Sequence, residues 1–190
     1  IRNRFAHFDA CPFTGPRVFF ENAGGALTLK SVVDVSTRFA AIPDNQGRDN
    51  PASEELDRII AKSRADTKLL FNASSGRIFF GESGTEVLFR MISNAVIETP
   101  AGGNVIGSTL EHPASRSAAA RWSRIAGKDY TAVAHDLDTG SVDAAAYEPH
   151  LTAETRVATI IHTSPVTGMS VDVAAISKAI RAVAPDCIII

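Results

Sequence analysis

The chain has 190 residues, of which 45% are hydrophobic and 21% are charged, and its formal net charge is −2. This composition is typical of a globular protein with one sizeable core, and it disfavours disorder. The charge balance gives no basic surface for nucleic acid. No apolar run reaches the roughly 18 residues of a membrane-spanning helix, and no signal peptide opens the sequence. We therefore expect a cytoplasmic protein without a nucleic-acid or membrane partner.

The two cysteines, Cys11 and Cys187, are far apart in the sequence, and the arrangement of histidines around them does not suggest a metal site. This pattern predicts neither a disulfide framework nor a zinc module. We expect two reduced, structurally incidental thiols and no bound metal.

Residues 1–75 are predicted to form an N-terminal segment that differs from the rest of the chain. A short strand is expected at 18–20, followed by the loop ENAGG at 21–25 and a helix that begins near Thr28 or Leu29. A second, long helix is expected from about Ser53. Between these helices the polar stretch 43–50 is either an ordinary surface loop or a flexible active-site loop.

Residues 76–190 alternate between short apolar runs and helical stretches. Strands are predicted at 77–80, 104–108, 130–135, 157–162 and 187–190. Helices are predicted at 84–98, 113–126, 142–151 and 173–183. Such alternation implies right-handed crossovers and an α/β fold, with a mainly parallel sheet covered by helices on both faces in a three-layer αβα arrangement. Because the last residues read as a buried strand, we expect the chain to continue beyond residue 190 and the fold to be incomplete at its C-terminus.

The junction GESGTE at 81–86 leads from a predicted strand into a predicted helix. The first turn of a helix has unpaired N–H groups and a positive dipole end, and it favours an anion such as a phosphate. Gly81 and Gly84 would allow close approach, and Ser83 and Thr85 would add hydroxyl donors. The alternative is that Ser83 or Thr85 simply caps the helix.

Two further polar loops follow predicted strands. Pro113 excludes helical geometry at His112, so this histidine is expected at the carboxyl edge of the sheet. The segment HTSPVTG at 162–168 follows the next predicted strand of the same edge. We expect the three loops to converge on one crevice, although a lone histidine is more often structural than catalytic.

Four motifs stand in the order ENAGG, SGTE, LEHPAS and TSPVTG. Together they resemble the motifs of pyridoxal-phosphate enzymes of the aminotransferase class V family, especially its cysteine desulfurase-like branch. The resemblance covers nearly the whole chain. It implies the PLP-dependent transferase fold type I, a homodimer, pyridoxal 5'-phosphate (PLP) as cofactor and an amino acid as substrate. Residues 76–190 would then belong to the large PLP-binding domain.

Residue by residue, the resemblance also implies roles in the site. Ser83, Gly84 and Thr85 match the segment that holds the cofactor phosphate, and His112 matches the catalytic histidine that stacks on the pyridine ring. The N-terminal loop supplies the residues that match the border of the substrate pocket: Asn22, Ala23 and Gly24.

The third loop departs from the family pattern. The family commonly has Asn where this chain has Pro165, so an amide that contacts the cofactor or substrate is missing. Ser164 or Thr167 would partly replace it as a cofactor ligand. The resemblance places the Schiff-base lysine beyond residue 190, and neither cysteine matches the nucleophile of a desulfurase.

These matches leave the chemistry open. Cysteine desulfurase-like C–S cleavage and class V transamination are both compatible with them, as are kynureninase-like and epimerase-like reactions. A rival from another class is a noncatalytic α/β module that binds a phosphorylated small molecule at the same helix end.

Overall fold

The computed structural model describes residues 1–43 and 46–190, and Asp44 and Asn45 of the predicted polar stretch lie outside the described residues. The chain divides into two compact units, Ile1–Phe79 and Phe80–Ile190. None of the helices in the described part of the chain is long and apolar enough to cross a membrane.

The first unit is mainly helical. It contains a 3-10 turn at Arg2–Arg4, an antiparallel pair of strands β1 (Ala10–Cys11) and β2 (Gly15–Pro16), and the helices α1 (Lys30–Ala40) and α2 (Pro51–Leu70). The start of α2 follows from its sequence, because the side chain of Asn50 accepts a hydrogen bond from the amide of Ser53 at 3.0 Å and Pro51 takes the first helical position. Both helices begin within two residues of their predicted starts.

Two predicted strands, at 18–20 and 77–80, were wrong. Within the described residues, neither segment pairs with another part of the chain. An apolar run shows only that a segment suits a strand, whereas the strand itself requires hydrogen bonds to a neighbour. The aromatic side chains of Phe20, Phe79 and Phe80 are accordingly exposed rather than buried in a sheet.

The second unit is built on a four-stranded parallel sheet. Its strands are β3 (Asn104–Ser108), β4 (Asp129–Val133), β5 (Thr155–Ala158) and β6 (Ile188–Ile189). Their spatial order is β4-β3-β5-β6, and all three neighbouring pairs are parallel. Each strand overlaps a predicted one, which confirms the prediction of a parallel sheet for this part of the chain.

Four helices accompany the sheet: α3 (Gly84–Glu98), α4 (Pro113–Ile125), α5 (Ala144–Tyr147) and α6 (Val173–Val183). The helix predicted at 142–151 is shorter than expected, since α5 gives way to a 3-10 turn at Glu148–His150. Asp143 caps α5 by accepting the amide hydrogen of Ala146, which fixes where it begins. Pro149 lacks an amide hydrogen and so cannot continue the helix.

The helices pack on both faces of the sheet. Successive residues of a strand point to opposite faces, and Val105 belongs to one core while Ile106 belongs to the other. The first core joins the sheet to α3 and α4 through Ile92, Val96, Ala118 and Ala119. The second joins it to α5 and α6 through Tyr147, Ile176 and Ile180. The predicted three-layer αβα arrangement is therefore confirmed.

Candidate functional site

The order of the strands places a switch point at the carboxyl edge of the sheet. From β3 the chain runs through α4 to β4 on one side, whereas β5 lies on the other side of β3. A parallel sheet commonly binds its ligand where the connections diverge in this way. We call the two segments at this point, residues 109–112 and 159–164, the walls of the switch crevice, after the ligand site expected there.

Two hydrogen bonds join the walls of the switch crevice. The amide of Ile161 donates to Oε1 of Glu111 at 2.7 Å, and Oγ of Ser164 donates to the carbonyl of Leu110 at 3.0 Å. Leu110, Glu111 and Ser164 are all buried. The two loops that the sequence predicted to meet are thus in direct contact.

The segment after β4 is tied to the same edge. Oγ1 of Thr109 lies 2.6 Å from Nδ1 of His135 and also accepts the backbone amide hydrogen of His135 at 3.0 Å. Thr109 therefore holds the first residues after β3 against those after β4, and three successive strand ends share one hydrogen-bonded edge.

Glu111 is the most perturbed acid of this edge. Burial raises the pKa of its carboxyl from the ordinary value of 4.5 to about 7, although the amide of Ile161 and the hydroxyl of Ser108 act in the opposite direction. Its side chain also contributes to raising the pKa of Tyr147, whose main cause is burial. A carboxyl with this pKa exchanges its proton near neutrality, as functional acids and bases often do.

His112 caps α4. Its backbone is extended, with ψ at 142°, and its Nδ1 accepts the amide hydrogen of Ala114 at 3.1 Å. Pro113 occupies the first helical position, as expected from the sequence. The cap orients the imidazole and assigns Nδ1 as an acceptor, which leaves the proton of the neutral ring on Nε2.

The amino end of α3 offers the predicted anion-binding groups. Ser83 caps this helix, since its Oγ accepts the amide hydrogen of Glu86 at 3.2 Å and its carbonyl accepts that of Val87 at 3.1 Å. The amides of Gly84 and Thr85 precede these bonds and face outward. All three residues of the segment are exposed, and a Cβ added at Gly84 would meet no atom within 4 Å.

The amino end of α3 lies toward the same edge of the sheet as the switch crevice. A short connection leads from the carboxyl end of α3 into β3, so that end must lie near the opposite edge. The first turn of α3 then projects toward the carboxyl ends of the strands. Glu86 in this turn forms an ion pair with Arg90, with 3.0 Å between Oε1 and Nε, which offsets its negative charge.

The hydroxyls of the third loop are used in hydrogen bonds within the loop and to neighbouring segments. Ser164 Oγ, besides donating to Leu110, accepts the amide hydrogen of Val166 at 3.1 Å. Thr167 Oγ1 donates to the carbonyl of Gly140 at 2.8 Å. These bonds fix the loop around Pro165, and the predicted cofactor contacts of Ser164 and Thr167 stay predictions.

The predicted substrate loop belongs to the first unit. Asn22, Ala23 and Gly24 are exposed and form a turn, in which the amide of Gly25 donates to the carbonyl of Glu21 at 3.2 Å. Their position at a substrate pocket stays a prediction.

The two thiols differ more than the sequence indicated. Cys187 is buried, and burial raises its pKa to about 11. Hydrogen bonds from the side chain of Thr14 and the amides of Phe13 and Thr14 lower the pKa of Cys11 to about 7. Across residues 1–43 and 46–190, no group of three or more His, Cys, Asp and Glu side chains could hold a metal ion.

Reasoning from the sequence singled out His112 but missed its neighbour Glu111. The available signal was an acidic residue between Leu110 and His112, three residues after the end of a predicted buried strand. The link between Thr109 and His135 had no comparable signal, because their contact depends on which strands are neighbours.

These features define a parallel α/β protein with a capped, exposed helix end at α3 and hydrogen-bonded polar segments after β3 and β5. The family model of aminotransferase class V matches residues 18–190. The chain belongs to the aminotransferase class V family. Comparison with curated protein sequences gives no significant match.

Solved structures give the same fold. A NifS-like protein superposes with a TM-score of 0.79 at 18% identity, covering 91% of this chain and 47% of that one. A cysteine desulfurase from Thermococcus onnurineus NA1 gives 0.76 at 17% identity, with 90% and 42% covered. A mutant of C-DES, with glycine covalently linked to its PLP cofactor, gives 0.73 at 16% identity, with 96% and 46% covered. The chain spans less than half the length of each, and its fold is the PLP-dependent fold type I.

The contact between β3 and β5 generates a prediction about stability. A Cβ at Gly107 would lie 2.5 Å from Oγ1 of Thr159, a buried side chain with little room to move. We expect Gly107→Ala to lower the free energy of unfolding of the full-length apoprotein by about 1–3 kcal/mol. The measurement is urea denaturation. Gly84→Ala is the control, since the open space there predicts a change within about 0.5 kcal/mol, and equal effects of the two substitutions would contradict the packing argument.

Proposed function

We propose that this chain is the cofactor-binding part of a PLP-dependent enzyme that acts on an amino acid. Cysteine desulfurase-like cleavage of a C–S bond is the favoured reaction, and class V transamination is the second candidate. We further propose a homodimer in the cytoplasm, as the family resemblance and the sequence composition indicate.

The observation that carries the proposal is the amino end of α3. Exposed amides, two hydroxyls and a glycine that faces open space form the donor set that a phosphate monoester requires. The hydroxyl of Ser83 accepts one helix amide and still has its own hydrogen to donate. The residues present therefore fit the phosphate of PLP, with Ser83, Gly84 and Thr85 as its proposed ligands.

Bound PLP would supply an electron sink for negative charge that develops on the substrate. The protein's part is to orient the cofactor and to move protons. His112 suits proton transfer because the hydrogen bond from the amide of Ala114 fixes the orientation of its ring and leaves a proton on Nε2. We propose that His112 stacks on the pyridine ring and holds or delivers that proton.

Similar structures support the choice of substrate class. One is named a cysteine desulfurase, and C-DES is named a cystine C-S lyase in a complex with its reaction product cysteine persulfide. Because identities of 16–17% establish only the fold, a sulfur-containing amino acid is proposed for this chain on their analogy. A noncatalytic module that binds a phosphorylated small molecule would use the same helix end, but it would not attach PLP covalently.

The first prediction concerns the full-length protein. We expect it to bind PLP with a yellow colour that borohydride bleaches, leaving the cofactor covalently attached to a lysine outside residues 1–190. Peptide mass spectrometry identifies that lysine, and sulfide release from cysteine separates desulfurase activity from transamination. A colourless protein that binds PLP reversibly and never attaches it would instead support the noncatalytic module.

The second prediction concerns the phosphate ligands. Losing a hydrogen bond to a charged group costs roughly 1.5–3 kcal/mol, so Thr85→Ala is expected to weaken PLP affinity by about one to two orders of magnitude. A fluorescence titration of the apoprotein measures this change. Thr85→Ser keeps the hydroxyl and is expected to bind almost as the wild type does. Unchanged affinity in Thr85→Ala would remove this residue from the site.

The third prediction separates the catalytic role of His112 from its capping role. His112→Phe keeps a flat ring, so we expect most of the PLP affinity to remain while turnover falls by roughly 10² to 10⁴. His112→Ala is expected to lose both. Each variant also loses the cap of α4, at about 1 kcal/mol of stability.

The matched control is His112→Asn, because asparagine is a good helix cap without an aromatic ring. It is expected to restore the melting temperature but not the turnover. Near-normal turnover in His112→Phe or His112→Asn would leave the histidine with a structural role alone.

A further inference from the structure

Glu111 joins the two walls of the switch crevice through a buried side chain. It is 3% exposed, and its Oε1 accepts the amide hydrogen of Ile161, which belongs to the segment after β5. The next residue in the chain is His112, whose ring caps α4. The position of Glu111 therefore couples the placement of His112 to the placement of the opposite wall.

The groups that interact with Glu111 come from several elements. Ser108 at the end of β3 offers a hydroxyl, and Tyr147 of α5 and Tyr130 of β4 interact with the carboxylate electrostatically. Arg116 of α4 acts on Tyr130. Glu111 forms no salt bridge with a described residue, so its charge is supported by hydrogen bonds alone.

Ionisation of Glu111 is expected to weaken the contact between the two walls of the switch crevice. We call the arrangement in which Glu111 is buried and bonded to Ile161 the closed arrangement. In it the pKa of the Glu111 carboxyl is about 7, against 4.5 for an ordinary glutamate. Burial therefore outweighs the two hydrogen bonds that favour the ionised form. By linkage, the closed arrangement is favoured while the proton is bound, and it weakens relative to an open, hydrated one as pH rises.

We propose that Glu111 is a positioning residue: its protonated side chain holds the segment of His112 against the segment after β5, and its ionisation loosens this joint. The hydrogen bond from the amide of Ile161 to Glu111 connects the two segments, and we call this connection the joint. The protonation state of Glu111 determines how firmly the joint holds. The effect on PLP rests on the proposed function, whereas the loosening of the joint does not.

The test compares the full-length apoprotein with Glu111→Gln, which keeps the shape and the Oε1 acceptor but has no proton to lose. Hydrogen exchange is measured by mass spectrometry on peptides that cover 109–116 and 159–166, corrected for the intrinsic rate at each pH. Because the pKa is 4.5 in the open form and about 7 in the closed one, part of the loss has already occurred at pH 5.5. We therefore expect the wild type to be at most about tenfold less protected than the variant at pH 5.5, and about a further tenfold or more less protected at pH 8.5. A ratio of wild-type to variant protection that is the same at both pH values would overturn the proposal.

Two controls keep the result interpretable. Glu98→Gln removes an exposed carboxyl at the far end of α3 and is expected to exchange like the wild type at both pH values. Should Glu111→Gln fail to fold, the wild type alone decides: protection of the two peptides must fall between pH 5.5 and 8.5 relative to a peptide from α6. Constant relative protection would refute the pH-dependent joint.

A PLP titration then tests the effect on the site. We expect the dissociation constants of wild type and Glu111→Gln to agree at pH 5.5, and the wild type to bind severalfold more weakly at pH 8.5. A pH-dependent joint without this difference would make Glu111 structural and overturn its positioning role. Absence of PLP binding in the wild type would defeat the proposed function, while the exchange data would still decide whether the joint exists.

Discussion

Parallel pairing between β3 and β5 is the constraint on which the candidate site depends. The pairing places two strands at the centre of the sheet although α4, β4 and α5 separate them in the chain. Parallel strands align their carboxyl ends, so the residues that follow β3 and β5 must meet. The bonds from Ile161 to Glu111 and from Ser164 to Leu110 then follow from the register. Gly107 permits this register, because a larger residue would collide with Thr159.

Helix capping and the proposed ligand binding involve the same residues at this edge. Ser83 and His112 each accept an amide hydrogen of their own helix, which satisfies one of the free donors of the first turn. The remaining amides of α3 stay available to an anion, and the imidazole of His112 keeps a fixed orientation. A cap therefore does not compete with a functional role here. It prepares the side chain for one, since an oriented ring loses less conformational entropy on binding.

The sequence predicted the second unit better than the first for a physical reason. Helix caps and apolar periodicity are local, so α3, α4 and α6 could be placed from Ser83, Pro113 and Asp172. A strand needs a partner, and residues 77–80 have the composition of a strand without a described neighbour. The same distinction applies to the site. His112 could be placed at the start of a helix because Pro113 follows it in the sequence. The hydrogen bond between Glu111 and Ile161 spans 50 residues, and it can be recognised only once the strand order is known.

Buried Glu111 lowers the stability of the fold near neutral pH, and this destabilisation argues for a role beyond packing. Between pH 4.5 and 7 the folded protein keeps a proton that the unfolded chain has lost, so the free energy of unfolding falls as pH rises through this interval. Above pH 7 the buried carboxylate costs about 3 kcal/mol in total, since each pKa unit corresponds to roughly 1.4 kcal/mol. A glutamine could accept the same amide hydrogen from Ile161 without this cost. A group that weakens the fold near neutral pH, next to His112 and at the switch of the sheet, is better explained by what its proton controls than by the stability that it provides.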